Sequence, residues 1–509
     1  MALPGSSLPE SSLPGSSLPE SSLPGSSLPE SSLPESSLPE SSLPGSSLPE
    51  SSLDGRIRRL LDRDEELLAS PWQLFEDLRS DCGPAFYSEA MGAWVITGHQ
   101  LLHDIVSDPE TWSNRSPTAT YKFRDPVADH VEAIAEEPEM AEAVRRFRNR
   151  SRGRVLNTAD PPEHVRQRRA LHRAFRPARL RALEPEVKSV SDQLVAGFAH
   201  RGRADLVSEY AVLLPMVMIS RMLGVPESEL EMFKGWSDDF AIPIGRAKPS
   251  REEVRSYIKS ESEFEDYFTT MVEQRQAEPR DDLISDVANA EVDGEPLSHE
   301  ERMGALRQFL LAGNETTTTL LANIGHRLAT DHRLRDRLAC NRNLVPAFVE
   351  EALRHEAPVT GLFRVATADT EINGTPVARG EFAWLAFAAA NRDPQTCPVP
   401  HTFDIDRNPN DHVSFGHGEH YCIGQGLARL EAKVGTNAMI DLPNLKLAED
   451  HTDTFMDSYI LRGRTQLQVT FDPVALAVRH LRQDRIGADL RDDLSAATIT
   501  FDRPEGQHR

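Results

Sequence analysis

Apolar residues follow a different pattern in each part of this chain. Over residues 5–53 a five-residue unit repeats, Ser-Ser-Leu-Pro-Glu or Ser-Ser-Leu-Pro-Gly. One Leu per unit cannot build a core, and a proline in each unit forbids a continuous helix. Residues 1–53 are therefore predicted to be a disordered tail with polyproline II character. A period of five is too short for the common helical solenoids. From Arg56 the pattern becomes globular. Ser70-Pro71-Trp72 opens a predicted helix through Leu78, with Pro71 in its first turn. Residues 93–97 read as a strand. Residues 113–159 are polar, with a helix-like acidic patch around 132–142. Helical periodicity dominates residues 160–360, with breaks at 224–226, 242–249 and 293–297. After Pro358 short strands take over, such as 370–372 and 376–377, joined by Gly and Pro turns. The expected fold class is mainly α with small β-sheets at one side. The expected layout is a tail over 1–53, a single large domain over 54–472 and an extension over 473–509. The sequence suggests no role for that extension.

Charge narrows the function classes. The chain carries 80 acidic and 56 basic residues, a net of −24. Residues 1–53 hold six Glu and no Lys or Arg, so −6 lies in the tail and −18 elsewhere. Such a chain is a poor general binder of nucleic acid. Four scattered cysteines without a Cys-x-x-Cys pair argue against a disulfide framework or a structural zinc site, and fit a reducing cytoplasm. No stretch approaches the roughly 18–20 apolar residues that span a bilayer. The longest apolar run, residues 213–219, is short and contains Pro215. No signal-peptide pattern opens the chain. One segment opposes the overall sign: residues 145–181 hold thirteen Arg and two acids, a net of +11.

Two segments carry candidate chemistry. In Phe415-Gly416-His417-Gly418-Glu419-His420-Tyr421-Cys422-Ile423-Gly424 a single cysteine sits in a glycine-rich loop just before an apolar-periodic segment. A thiolate there is stabilised by the helix dipole and free backbone N–H groups. Gly416, Gly418 and Gly424 carry no Cβ to collide with a large flat ligand. A soft sulfur held this way suits haem iron as an axial ligand; the alternative is a buried cysteine in an ordinary turn. The second segment is a helical pattern over 306–328, interrupted by Ala312-Gly313-Asn314-Glu315-Thr316-Thr317. An acid and a hydroxyl in a buried helix need partners. They suggest a local opening that holds water and relays protons for oxygen activation. The alternative is a Thr bonded back to its i−4 carbonyl.

The cysteine segment closely resembles the haem-binding loop of the cytochrome P-450 family, Phe-x-x-Gly-x-x-x-Cys-x-Gly, and the resemblance runs from about residue 60 to about 471. It implies the cytochrome P-450 fold and haem b (iron protoporphyrin IX), with Cys422 ligating iron and Phe415, Gly416 and Gly424 shaping the loop. Glu315 and Thr316 match the family's acid–alcohol pair. Glu351 and Arg354 match its buried Glu-x-x-Arg pair, completed by Arg407. His164, Arg168, Arg364 and His420 match the residues that reach the haem propionates, and residues 113–159 match the loop that roofs the substrate pocket. The implied activity is monooxygenation: a substrate, O2, two electrons and two protons give a hydroxylated product and water. The chain has no Cys cluster or Gly-rich dinucleotide fingerprint for its own flavin or iron–sulfur domain. NAD(P)H electrons are therefore expected through a separate ferredoxin, or flavodoxin, and its reductase. The arginine-rich segment is the expected docking face for that carrier. An H2O2-driven peroxygenase is one rival; such relatives usually lack the acid–alcohol pair. A non-catalytic haem-thiolate sensor or carrier is the other, and would need no proton relay. The expected substrate is small and hydrophobic, against a wall at residues 120–123, 310–312, 359–363 and 458–460. The family's membrane-bound members carry an N-terminal anchor; this chain is expected to be of the bacterial, cytoplasmic, monomeric type.

Overall fold

Helices begin where the sequence supplies caps. Ser250 and Ser298 each accept the backbone N–H three residues on, while Glu253 and Glu301 bond back, forming two capping boxes. They open the helices Arg251–Ala277 and His299–Thr330. Asp64, Asp282 and Asp331 cap three more. The computed structural model describes residues 49–115, 127–149, 156–244 and 249–474. These lie in a unit that begins at Leu48.

The helix His299–Thr330 has 32 residues and is the axis of the body, about 48 Å long at 1.5 Å per residue. It packs against Leu213–Leu223, Leu230–Ala241 and Gln425–Ile440. Leu306, Leu310, Leu321 and Ile324 from the axis join Met218, Phe233, Phe264 and Met439 in the largest apolar cluster. The apolar run at 213–219 is thus a core helix, nearly all of it buried. Among the described residues no helix is long and apolar enough to cross a membrane.

The principal sheet has five strands in the spatial order Ala85–Ser88, Ala93–Ile96, Phe382–Leu385, Leu362–Ala366 and Trp112–Ser113. Phe382–Leu385 pairs parallel with Ala93–Ile96 and antiparallel with Leu362–Ala366, which sets Ala383 opposite Arg364. Among the described residues a three-stranded sheet and two hairpins are the other sheets, one hairpin pairing Thr370–Ile372 with Thr375–Val377. The mainly α architecture with small sheets agrees with the sequence reading.

Several boundaries differ from expectation. Pro71 sits in the cap position and the helix runs Trp72–Cys82, four residues beyond Leu78. The acidic region resolves into the helices Ala128–Ala135 and Ala141–Asn149, both against Arg251–Ala277. The tail assignment fails at its end: Ser52 caps the helix Leu53–Leu61 by accepting the Gly55 N–H at 3.0 Å, and Ser52 Oγ donates to the Pro49 carbonyl at 2.7 Å. A serine of the repeat becomes a cap because residues after it can bury Ile57, Leu60 and Leu61. The rest of the tail assignment, the wall at 120–123 and most of the 473–509 extension lie outside the described residues.

Candidate active site

The chain is pinned before it reaches Cys422. Asn391 accepts the Val413 N–H and donates to Ser414 Oγ, both at 2.7 Å, and Ser414 Oγ donates to the Leu353 carbonyl at 2.7 Å. Behind this lies Glu351, fully buried, which takes two bonds of 2.7 Å from Arg354. It also accepts the Asp404 N–H at 2.7 Å and Asn410 Nδ2 at 3.1 Å. Arg407 Nε lies 3.4 Å from the same carboxylate. Removing one partner of such a buried pair costs about 3–5 kcal/mol. A second tie was not read from the sequence, where Glu350 looks like a flanking residue. Arg429 donates twice to Glu350 at 2.7 Å, and its guanidinium lies 4.4 Å from the centre of the Phe415 ring. Burial pushes the Glu350 carboxyl up, but the bonds from Arg429 and His412 outweigh it and hold the pKa below the usual range.

The loop then turns sharply. Gly416 and Gly418 have φ of 71° and 69°, a region that disfavours any Cβ, and a Cβ on Gly418 would lie 3.0 Å from the Val106 carbonyl oxygen. Both glycines serve the turn. The nearest atom to a Cβ on Gly416 would be 3.9 Å away, and Gly424, with ordinary φ, has open space there, so both leave room beside the loop. The Cys422 N–H donates to the Phe415 carbonyl at 2.9 Å. Burial raises the Cys422 thiol pKa; the N–H groups of Gly424 and Gln425 and the cations Arg168 and Arg429 oppose it. These are the donors that a thiolate or a metal-bound sulfur requires.

Cations and imidazoles gather beside this loop. Arg364, in mid-strand and 6% exposed, makes one bond to the Phe363 carbonyl at 2.9 Å and has no carboxylate partner among the described residues. Burial lowers its pKa to about 10. His164 is buried with neither ring nitrogen hydrogen-bonded, and its ring centre lies 4.0 Å from that of His420. Burial, and then Arg168, lower its pKa to about 4. Asn114 Nδ2 lies 3.0 Å from His420 Nδ1. His164, His420 and Glu419 could hold a cation by spacing alone. The fields of Arg364 and Arg168 on His420 favour an anion instead. An unpaired buried guanidinium, unsatisfied imidazoles and a sulfur with N–H donors fit an iron porphyrin with carboxylate arms. Arg168, one turn along the same helix from His164, donates from Nη2 to the Tyr421 carbonyl at 2.6 Å, beside Cys422.

The acid–alcohol segment also differs. The helix is α throughout, without the expected opening, and Thr316 Oγ1 donates to the Ala312 carbonyl at 2.8 Å. The hydroxyl satisfies itself locally at i−4. Glu315 points elsewhere, as successive helical residues must. It accepts Asn314 Nδ2 at 3.1 Å, the same amide nitrogen donates to Ser237 Oγ at 3.2 Å, and its carboxylate lies 3.9 Å from Lys234 Nζ. Burial raises the Glu315 pKa against the pull of Lys234. Asp238 bonds Lys234 as well, and the two carboxylates raise the lysine pKa against its burial. Lys234, Ser237 and Asp238 sit on another helix, with no signal in the sequence. Of the expected pocket wall, Phe363, Tyr459 and Ile460 are core residues packed with Trp384. Ala312 is exposed; Val359 and Leu362 are half-buried.

Comparisons with known proteins agree with this geometry. A sequence profile of the family described as Cytochrome P-450 matches residues 240–471. The putative cytochrome P-450 YjiB of Bacillus subtilis is 33% identical over 375 residues, covering 73% of this chain and 86% of that protein. A steroid C26-monooxygenase of Mycobacterium tuberculosis is 35% identical over 316 residues, 62% of this chain and 85% of that one. Among solved structures, CYP109E1 from Bacillus megaterium in complex with corticosterone superposes with a TM-score of 0.68 at 28% identity, over 80% of this chain and 100% of that one. Haem and O2 use come with the family. A third of the residues shared across most of a relative, on a helical body built around a cysteine loop, places the chain in the cytochrome P-450 family, with its fold and as a monooxygenase.

Proposed function

We propose that this chain binds haem b through Cys422 and hydroxylates a small hydrophobic substrate of the steroid class. Electrons come from NAD(P)H through a separate ferredoxin or flavodoxin and its reductase, and the enzyme works as a cytoplasmic monomer. The observation that carries the reading is Cys422 in its pinned loop, with the Arg168 guanidinium on the neighbouring Tyr421 carbonyl, beside the unpaired cation Arg364 and the unsatisfied His164. Bound haem supplies an iron centre that activates O2. Arg364, His164 and His420 would hold its propionates. Arg168 and the Gly424 and Gln425 N–H groups stabilise negative charge on the sulfur, and a metal cation reverses the effect of burial on the thiol. Glu315 would hold a proton at its carboxyl. Once the Thr316 hydroxyl turns from the Ala312 carbonyl, Oγ1 would accept that proton and release its own to a water in the pocket. Glu315 would first swing away from Lys234, whose Nζ lies 3.9 Å from it.

The steroid class rests on the relative named steroid C26-monooxygenase, on the neighbour holding corticosterone, and on the apolar Ala312, Val359 and Leu362. The reduced protein with CO should give the red-shifted Soret band of thiolate ligation, and Cys422→His should lose it. A histidine-type spectrum from folded wild-type protein would reject the assignment. Steroids should shift the ferric spin state and undergo NADH- and carrier-dependent oxidation with O2 consumption; binding without turnover would favour a sensor.

A further inference from the structure

A second histidine cluster lies apart from the propionate group. His99 and His103 are four apart on the helix His99–Val106 and share one face. Their ring centres are 4.7 Å apart, and His417, from the cysteine loop, lies with its ring 4.0 Å from His103. One donor atom from each of His99, His103 and Asp411 lies within 4.8 Å of the others. We propose that His99, His103 and Asp411 form a binding site for a divalent cation of the zinc class.

Three observations carry it. His103 Nε2 is buried and has no hydrogen bond, an orphan that a metal would satisfy. His99 is 4% exposed, and its Nε2 lies 2.9 Å from the carbonyl of Asp411, the residue whose carboxylate completes the set. Such a bond orients a ligating imidazole. Finally, Asp411 is exposed, which leaves an entry path and an open position for water. Two imidazoles and a carboxylate suit zinc, whose donors at about 2.0–2.1 Å lie roughly 3.3 Å from one another. Rotation of the exposed Asp411 side chain and of the two imidazoles would supply the contraction.

The site would clamp two elements at the cysteine loop. Val413 already packs with Leu102 and Ile105, and Gly418 crosses close to the Val106 carbonyl. A metal joining Asp411 to the helix would stiffen the segment that leads to Cys422. The test uses untagged, full-length, haem-loaded protein, stripped with a chelator and dialysed against zinc chloride, with bound zinc measured by mass spectrometry. Wild type should bind one zinc and unfold at a higher temperature with it. His103→Asn and Asp411→Asn should each weaken zinc by about tenfold or more, while His332→Asn, at an exposed histidine, should not. The CO spectrum reports whether each variant is folded, and the exposed Asp411 carries the test if His103→Asn does not fold. Wild type binding no zinc, or Asp411→Asn binding it as tightly as wild type, would overturn the proposal.

Discussion

The pair Glu315 and Thr316 sits at neighbouring positions, yet the two side chains answer to different partners: Lys234 and Asn314 for one, the Ala312 carbonyl for the other. Thr316→Ala removes a hydroxyl whose bond is local and one half-buried methyl, so the protein should still fold. Product formation should fall on the order of 10²-fold as a proton relay is lost. NADH consumption should continue, with peroxide or water as its outlet; coupling equal to wild type would remove Thr316 from the mechanism. Glu431 is a different case. It is fully buried with no cause of perturbation but burial, which pushes its pKa up to about 8, and Oε2 has no hydrogen bond. In the unfolded chain it ionises near pH 4.5. Between those values the unfolded chain binds fewer protons than the folded one, so stability falls as pH rises. Glu431→Gln should abolish that slope and gain on wild type from pH 5 to pH 8, by up to a few kcal/mol. Urea midpoints at the two pH values measure it; parallel pH dependence in the two proteins would mean that Glu431 is solvated or paired.

Elements show which parts of the fold and site could be read from sequence. Caps and breaks are local, so Gly224 ending the helix Leu213–Leu223 in left-handed conformation and the hairpin at Thr370–Ile372 were legible. The cysteine loop was legible because its residues are contiguous. Glu350 with Arg429, Lys234 with Glu315, and His103 with His417 were not, because packing alone brings their helices and loops together. The same limit corrects the arginine-rich segment. Read as charge it is a strong basic face, but Arg145, Arg146, Arg148, Arg166, Arg169 and Arg179 are all ion-paired. Arg166 ties its helix to Glu301 and the Pro296 carbonyl, so it belongs to the structure rather than to a free surface. Arg173, Arg176 and Arg181 are exposed and have no carboxylate partner among the described residues. Reversing these three to Glu should slow reduction by an acidic ferredoxin about tenfold at low salt. The difference should shrink near 1 M salt, where screening reaches only about 3 Å. H2O2-driven turnover, which needs no docking, should stay unchanged; equal loss in both assays would indicate damaged folding.

At the scale of the whole molecule the question is where the working fold begins. Sequence composition put the boundary at residue 53, since one Leu per repeat cannot build a core. The structure moves it to Pro49. Ser52 caps the first helix, and Asp54 accepts Ser88 Oγ at 2.5 Å and the Ala90 N–H at 3.0 Å, tying that helix to the first hairpin. Arg56 meets Asp77 at 2.5 Å, and Ile57, Leu60 and Leu61 are buried. Two truncations therefore separate the tail from the fold. Deleting residues 2–48 should leave haem content, the CO spectrum and unfolding temperature as in the full chain. Deleting 2–53 also removes the Ser52 cap, a loss of about 1 kcal/mol. That should lower the unfolding temperature by about one or two degrees, because the same loss shifts even a 150–250-residue domain only by about 2–4 °C. Haem content should be retained in both, since no group near Cys422 is touched. Equal stability of the two truncations would show that the cap contributes nothing; loss of haem on deleting 2–48 would mean that the repeat takes part in the fold after all.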